Sequence, residues 1–377
     1  AGTGALLWRH RVASRTITPD CQASPDGMFG VTGTMLIDRA AGRLYAVDVN
    51  GNVWALRLDS GKVVPGWPVR VSSAPGDFFW SALALSRGRL YVPVSSLCDA
   101  GYSHGGIVAV DVRQPRRVIR WQTVSGAGLF GGGVWGWGGV SLDDRSGMVY
   151  AATGNSQGSA REDEGYGEAV VALSPTLGVR QYNQPLHAPF QIGDRDFGTT
   201  PVLIHARGCP AQLVALNKDG SLFLYDRNSI AAGPVQALWA AANSAQSPIP
   251  LIGVPAFDPV TRTLVLVSPT TPSTPGLRAG MQALTLTSAC RFVVRWSGWS
   301  DPPNAGSAPT IARGVVYLGS GRNGFVRAFR LSDGRQLWSW RPSTEAIFAA
   351  PAVDRSTLFV AGWSGYVWAF RRGGQLP

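Results

Sequence analysis

Charge is scarce in this sequence, lysine is nearly absent, and no long apolar run occurs. Charged residues are only 15% of the 377, too few to coat the outer faces of many amphipathic helices, which argues against a helical protein. No stretch approaches the roughly 18 consecutive apolar residues of a membrane-crossing helix, so no transmembrane segment is expected. A cationic-then-apolar leader is missing as well, and Ala1 is expected to begin a processed or trimmed form. Cysteine is limited to Cys21, Cys98, Cys209 and Cys290. None has the close C-x-x-C spacing of a zinc site, and the C-x-x-C-H motif is absent.

What the chain has instead is glycine and tryptophan, 47 and 14 residues. These compose turns and half-buried strands. The stretch 314–338, GVVYLGSGRNGFVRAFRLSDGRQLW, holds two short alternating runs, Val315 to Leu318 and Val326 to Arg330. Gly-Arg-Asn-Gly splits them, and a Ser-Asp-Gly turn leads to a further strand ending at Trp338. Period-2 alternation with Gly, Asn and Asp punctuation marks tight antiparallel hairpins.

The unit recurs. Copies are expected at about 34–71 (with Asn50-Gly51 as its hairpin signal), 80–124, 135–185, 197–240, 251–296, 314–338 and 347–371, near the ~50-residue spacing of propeller blades. The last copy lacks its Leu-Trp strand, whereas the N-terminus reads Gly-Ala-Leu-Leu-Trp. The expectation is an all-β, single seven-bladed β-propeller over residues 1–377. A strand over 6–12 would complete the last blade and hide sheet edges, with eight blades as the alternative. An even cysteine count fits two disulfides in an oxidising compartment. The preferred pairing is Cys21–Cys98 and Cys209–Cys290, each linking neighbouring repeats; the alternative is four buried thiols.

The formal charge is +11, and only Lys62 and Lys218 among the 34 basic residues are lysine. Two explanations stand: solvated arginines spread over the surface, or attraction to an anionic partner such as an acidic glycan. The tightest cluster, Arg113, Arg116, Arg117 and Arg120, has no interleaved aromatics, so specific nucleic-acid binding is not expected.

The repeat resembles the PQQ-type β-propeller repeat over essentially the whole chain. That superfamily spans quinoprotein alcohol and sugar dehydrogenases and cofactor-free scaffolds such as the outer-membrane assembly lipoprotein. WGGVSLDDRSGMVYAATGN, residues 137–155, is similar to the quinoprotein segment whose Trp packs on the quinone and whose Asn binds calcium, which implies those roles for Trp137 and Asn155. DRDFGTTPVL, residues 194–203, looks like the segment of the catalytic aspartate, here Asp196, which also lies at the metal. NKDGSLFLYDR, residues 217–227, resembles the hairpin whose cation contacts the quinone, here Lys218. The family's calcium-binding glutamate falls near Ala100, where this chain offers Asp99, and its adjacent Cys-Cys pair is absent.

These residue types suit the implied chemistry. A planar quinone with three carboxylates needs an aromatic floor and cationic partners. Calcium takes oxygen ligands and polarises a carbonyl, while a neighbouring aspartate can accept a hydroxyl proton. Each residue also has a structural alternative: Trp137 in a blade core, Asn155 in a left-handed turn, Asp196 capping a turn, Lys218 solvated at a hairpin tip. His104 and His187 are each either a satisfied loop residue or a ligand.

Two functions are therefore expected from different classes. One is a secreted, periplasmic or cell-surface propeller binding a protein or glycan, anionic or not, through loops on one face without a cofactor. The other is a dehydrogenase of alcohols or sugars using PQQ and calcium. The loops at 97–104 and 156–167 are where partner contacts are expected.

Overall fold

In the computed structural model of the chain, the described residues are 4–17, 27–97, 102–159, 161, 163–186, 195–240, 253–268, 274–298, 308–321 and 323–371. Apart from one short 3-10 turn, Ile230–Ala232, their regular structure is all strand. The fold is a seven-bladed β-propeller, and every blade is an antiparallel meander in which consecutive strands pair. Blade 1 shows the plan: Leu36–Asp38, Arg43–Val47, Asn52–Arg57 and Val69–Arg70. Blades 1 to 3 fall within the compact unit Ala1–Pro185 and blades 4 to 7 within Leu186–Pro377.

Local sequence explains the hairpins. In blade 1 the turn closes with Gly51 at φ 75°, and a Cβ there would sit 2.8 Å from the Ser72 carbonyl oxygen, so glycine is required twice over. Asp48, fully buried, is the hub of this turn. Its carboxylate accepts from the backbone N–H groups of Asn50 and Asn52 and from the Trp54 indole at 2.9–3.0 Å, and from the Asn52 amide. Asp48→Ala orphans several of these donors, so we expect a loss of about 3 kcal/mol in urea unfolding.

Burial departs from simple alternation. The inner strands Val149–Ala152, Gln212–Leu216 and Thr263–Ser268 are buried at every position, because each blade is packed on both faces. Outer strands such as Val179–Asn183 keep one exposed face. The resulting seams are apolar. Tyr45, Val53 and Ala55 of blade 1 meet Leu90, Val92 and Val110 of blade 2. Ile107 and Ala109 meet Ala151 and Val171 between blades 2 and 3. Three similar clusters join blades 4 to 5, 5 to 6 and 6 to 7.

Arginine closes several of these seams. Arg43 donates to the Val112 carbonyl at 3.3 Å, Arg87 to those of Asp144 and Arg145 at 3.0 and 2.8 Å, and Arg120 to that of Val71 at 2.9 Å. In the second unit Arg262 reaches the Arg207 carbonyl at 3.2 Å, and Arg295 that of Ser332 at 3.2 Å. Each bond runs from one blade to the loop of its neighbour. A planar fork with five donors can do this while stacked on a turn, which a lysine ammonium does less well. Part of the arginine bias is thus structural rather than a matter of solvated charge.

The Cys209–Cys290 bridge forms as expected, with Cα atoms 5.6 Å apart across 81 residues of sequence. It ties a turn of blade 4 to a turn of blade 5. The other expected pair, Cys21–Cys98, lies outside the described residues.

One expectation fails. Blade 7 has three strands, Ala352–Asp354, Thr357–Ala361 and Val367–Arg371, and residues 6–12 form no strand among the described residues. Their Leu-Trp resembles a blade ending but packs as an anchor. The Trp8 indole donates to the Leu58 carbonyl at 2.9 Å, and its ring covers Gly61, where any Cβ would lie 2.5 Å from it. His10 lies 5.4 Å from the Trp54 ring. An indole N–H that finds its acceptor in the blade 1 turn draws the segment there.

Candidate functional site

In the second unit, Asp196 and Lys218 come together. Asp196 precedes Val202–Ile204, the first strand of blade 4, and Lys218 lies in the hairpin between Gln212–Leu216 and Ser221–Asp226. The hairpin is fixed by its own polar residues. Asn217 Oδ1 accepts from the Asp219 N–H at 3.0 Å, Asp219 Oδ1 accepts from the Ser221 N–H at 2.7 Å, and Gly220 turns the chain at φ 93°. Asn217 and Asp219 are both buried. The Lys218 N–H donates to the Asp196 carbonyl at 2.9 Å, which brings the side chains side by side.

The Lys218 ammonium then lies 3.1 Å from Asp196 Oδ2, with side-chain exposures of 12% and 8%. Lysine is therefore not a solvated tip residue, and Asp196 does more than cap a turn. Removing two opposite charges from water costs several kcal/mol per ion, which only their mutual attraction and further hydrogen bonds offset. A blade core needs no such pair. Phe197, next to Asp196 in sequence, and Phe223 are both buried, with ring centroids 6.2 Å apart.

In the first unit, Trp137 and Asn155 flank blade 3. Both are half-buried. The Trp137 carbonyl accepts from the Ala82 N–H at 2.9 Å, so the indole's backbone is pinned to blade 2. Asn155 follows the strand Val149–Ala152, and its carbonyl accepts from the Gly132 N–H at 2.6 Å. Asn155 is not among the residues with positive φ, so a left-handed turn does not explain it.

Glu168 is a neighbour that sequence reasoning missed. Its carboxylate is buried, its φ is 50°, and its N–H donates to the Gly154 carbonyl at 3.0 Å. A glutamate directly ahead of an apolar strand, Val170–Leu173, is the available signal; it falls one residue beyond the polar loop at 156–167. Asp99 and His187 lie outside the described residues. His104 lies in a bridge with Gly131. No group of three or more His, Cys, Asp or Glu placed to hold a metal ion occurs among the described residues.

The sequence model of the glucose/ethanol/alcohol dehydrogenase β-propeller domain family matches residues 108–230. The segment it matches carries PQQ-type repeats. The matched segment contains Trp137, Asn155, Asp196 and Lys218. A polyvinylalcohol dehydrogenase of a Pseudomonas species is 24% identical over 90% of this chain and 57% of its own. The chain thus spans less than two thirds of that relative's length. The quinohemoprotein alcohol dehydrogenase of Comamonas testosteroni shares the fold, with a TM-score of 0.64 and 19% identity over 85% of this chain and 61% of its own. BamB of Moraxella catarrhalis does so too, with a TM-score of 0.57 and 15% identity over 98% and 99% of the two chains.

The residues present fit the cofactors of such dehydrogenases in donor chemistry. The Asn155 amide and the Glu168 carboxylate of the first unit, and separately the Asp196 carboxylate of the second, are oxygen donors of the kind a hard cation takes. The Lys218 ammonium of the second unit is a partner type for an anionic group, and the Trp137 indole of the first a partner type for an aromatic ring, each taken by itself.

Proposed function

We propose that this chain is the propeller of a quinoprotein-type dehydrogenase that oxidises alcohols. The observation that carries the reading is the buried Lys218–Asp196 pair at 3.1 Å. Asp196 accepts the proton of the substrate hydroxyl through its carboxylate. Lys218 fixes the orientation of that carboxylate and adds a positive charge beside it. The burial of both excludes most bulk water from the proton acceptor. In the first unit, taken by itself, Asn155 offers an amide oxygen of the kind a cation takes and Trp137 an aromatic face. PQQ, when bound with calcium, supplies the two-electron redox chemistry, and the protein the binding and orientation.

The substrate class follows the similar proteins: the secondary alcohol groups of a polymer come first, and small alcohols and sugars second. An extracytoplasmic site of action is supported by the Cys209–Cys290 disulfide, which is stable in an oxidising compartment. Among the described residues no helix is long and apolar enough to cross a membrane.

Adding PQQ and calcium to the purified protein is expected to give quinone absorbance that titrates to one equivalent. Dye-linked oxidation of an alcohol is expected to accompany it. If no PQQ binds at micromolar concentration, the dehydrogenase reading falls, and a propeller that binds a partner through its loops takes its place.

A further inference from the structure

A cavity lies in the first unit, in the seam between blades 1 and 2. Its volume is about 290 Å³, and one side is the segment after the last strand of blade 1, residues 71–74. The other side includes Val94, Val108, Arg120 and Trp121 of blade 2, and Asp77 and His104 are also among the lining residues. Val94 and Val108 belong to the apolar core of the seam, so this wall offers a hydrocarbon surface.

The charged groups are disposed unusually. Arg120 makes a single hydrogen bond, from Nη2 to the Val71 carbonyl at 2.9 Å, which leaves four of its five N–H donors open. Asp77 is 9% exposed, and its two carboxylate oxygens accept from the Ser72 hydroxyl and from that of Ser103, the latter at 2.9 Å. Neither charge is in an ion pair, although both line one cavity. The His104 imidazole makes no side-chain hydrogen bond. Opposite charges facing a common space usually collapse onto each other unless the backbone holds them apart. Here the Val71 carbonyl holds the guanidinium and the two serines hold the carboxylate.

We infer that this cavity binds a small zwitterion of the α-amino-acid class with an aliphatic side chain. The ligand carboxylate takes the open fork of Arg120, its ammonium lies against Asp77, and its side chain packs on Val94 and Val108. The volume holds on the order of ten water-sized groups, which matches leucine and its neighbours and excludes a peptide of several residues. A neutral polyol would leave both charges without a counter-charge, and a simple anion would face the Asp77 carboxylate. This site is independent of the dehydrogenase reading, since it shares no residue with Asp196, Lys218, Trp137 or Asn155.

The test is calorimetric titration of the full chain with leucine, isovalerate and isoamylamine, which share one hydrocarbon and differ in charge. Leucine is expected to bind with one-to-one stoichiometry, and each half-ligand at least about tenfold more weakly. Arg120→Gln, at an exposed position outside the seam core, is expected to weaken leucine about tenfold and to leave isoamylamine unchanged. Asp77→Asn should instead remove the advantage of leucine over isovalerate. Should that variant fail to fold, Arg120→Gln and the three-ligand series decide alone. No heat with millimolar leucine would overturn the proposal, as would equal binding of isovalerate or undiminished leucine binding by Arg120→Gln.

Discussion

Asp196→Asn is expected to lower the turnover number for alcohol oxidation by about 10²–10⁴-fold in protein supplied with PQQ and calcium. The asparagine keeps the shape of the side chain but has no charge with which to accept a hydroxyl proton. The cost to folding has the same origin, because Lys218 is only 12% exposed and would keep its ammonium without the partner at 3.1 Å. A double-mutant cycle with Lys218→Met separates the two effects. The double variant, which removes both charges, should be less destabilised than the sum of the singles, and should stay as inactive as Asp196→Asn. Full turnover in Asp196→Asn would remove the aspartate from the proton-accepting role.

The disulfide carries the next largest effect. Cys209 and Cys290 are 81 residues apart, and closing a loop of that length restricts the unfolded chain by about 4 kcal/mol in the entropic account. Replacing both by serine should lower the melting temperature of the oxidised protein by roughly 10 °C for a unit of this size. It should also make the melting temperature insensitive to reductant at this pair. Gln212 adds to the local effect, since its amide donates to the Cys290 carbonyl at 3.1 Å between the same two blades. A serine double variant that melts with the wild type would show that the turns hold each other without the bond.

The blades were legible because their signal is local. Val326–Arg330 and Gln336–Trp340 fall where alternation and the Ser-Asp-Gly turn put them, and Gly51 closes the hairpin that Asn50-Gly51 announced. The end of the ring was less so: Gly-Ala-Leu-Leu-Trp has the composition of a blade strand, yet Trp8 is held by one indole hydrogen bond to Leu58 that composition does not encode. The two-stranded ribbon of Phe130–Gly131 with Ser156–Gln157 was also invisible, because residues so rich in glycine carry no period. At the candidate site, resemblance pointed to Asp196 and Lys218, but their pairing depends on a 22-residue separation that only the fold brings to contact. Glu168 was missed for the opposite reason. It sits between the polar loop at 156–167 and the strand Val170–Leu173, where nothing in the repeat marks a carboxylate, yet its carboxylate is buried.

The arginines that join neighbouring blades bond to carbonyl oxygens, not to carboxylates. Added salt weakens an exposed ion pair by screening it, but has little purchase on a guanidinium bound to a neutral acceptor. The seams should therefore hold across a wide range of ionic strength. Their cations also keep their full charge, because a carbonyl neutralises nothing. The positive potential of the molecule is in this sense a by-product of how its blades are stitched together, and exchanging Arg43, Arg87 and Arg295 for lysine would preserve the potential while undoing the stitches.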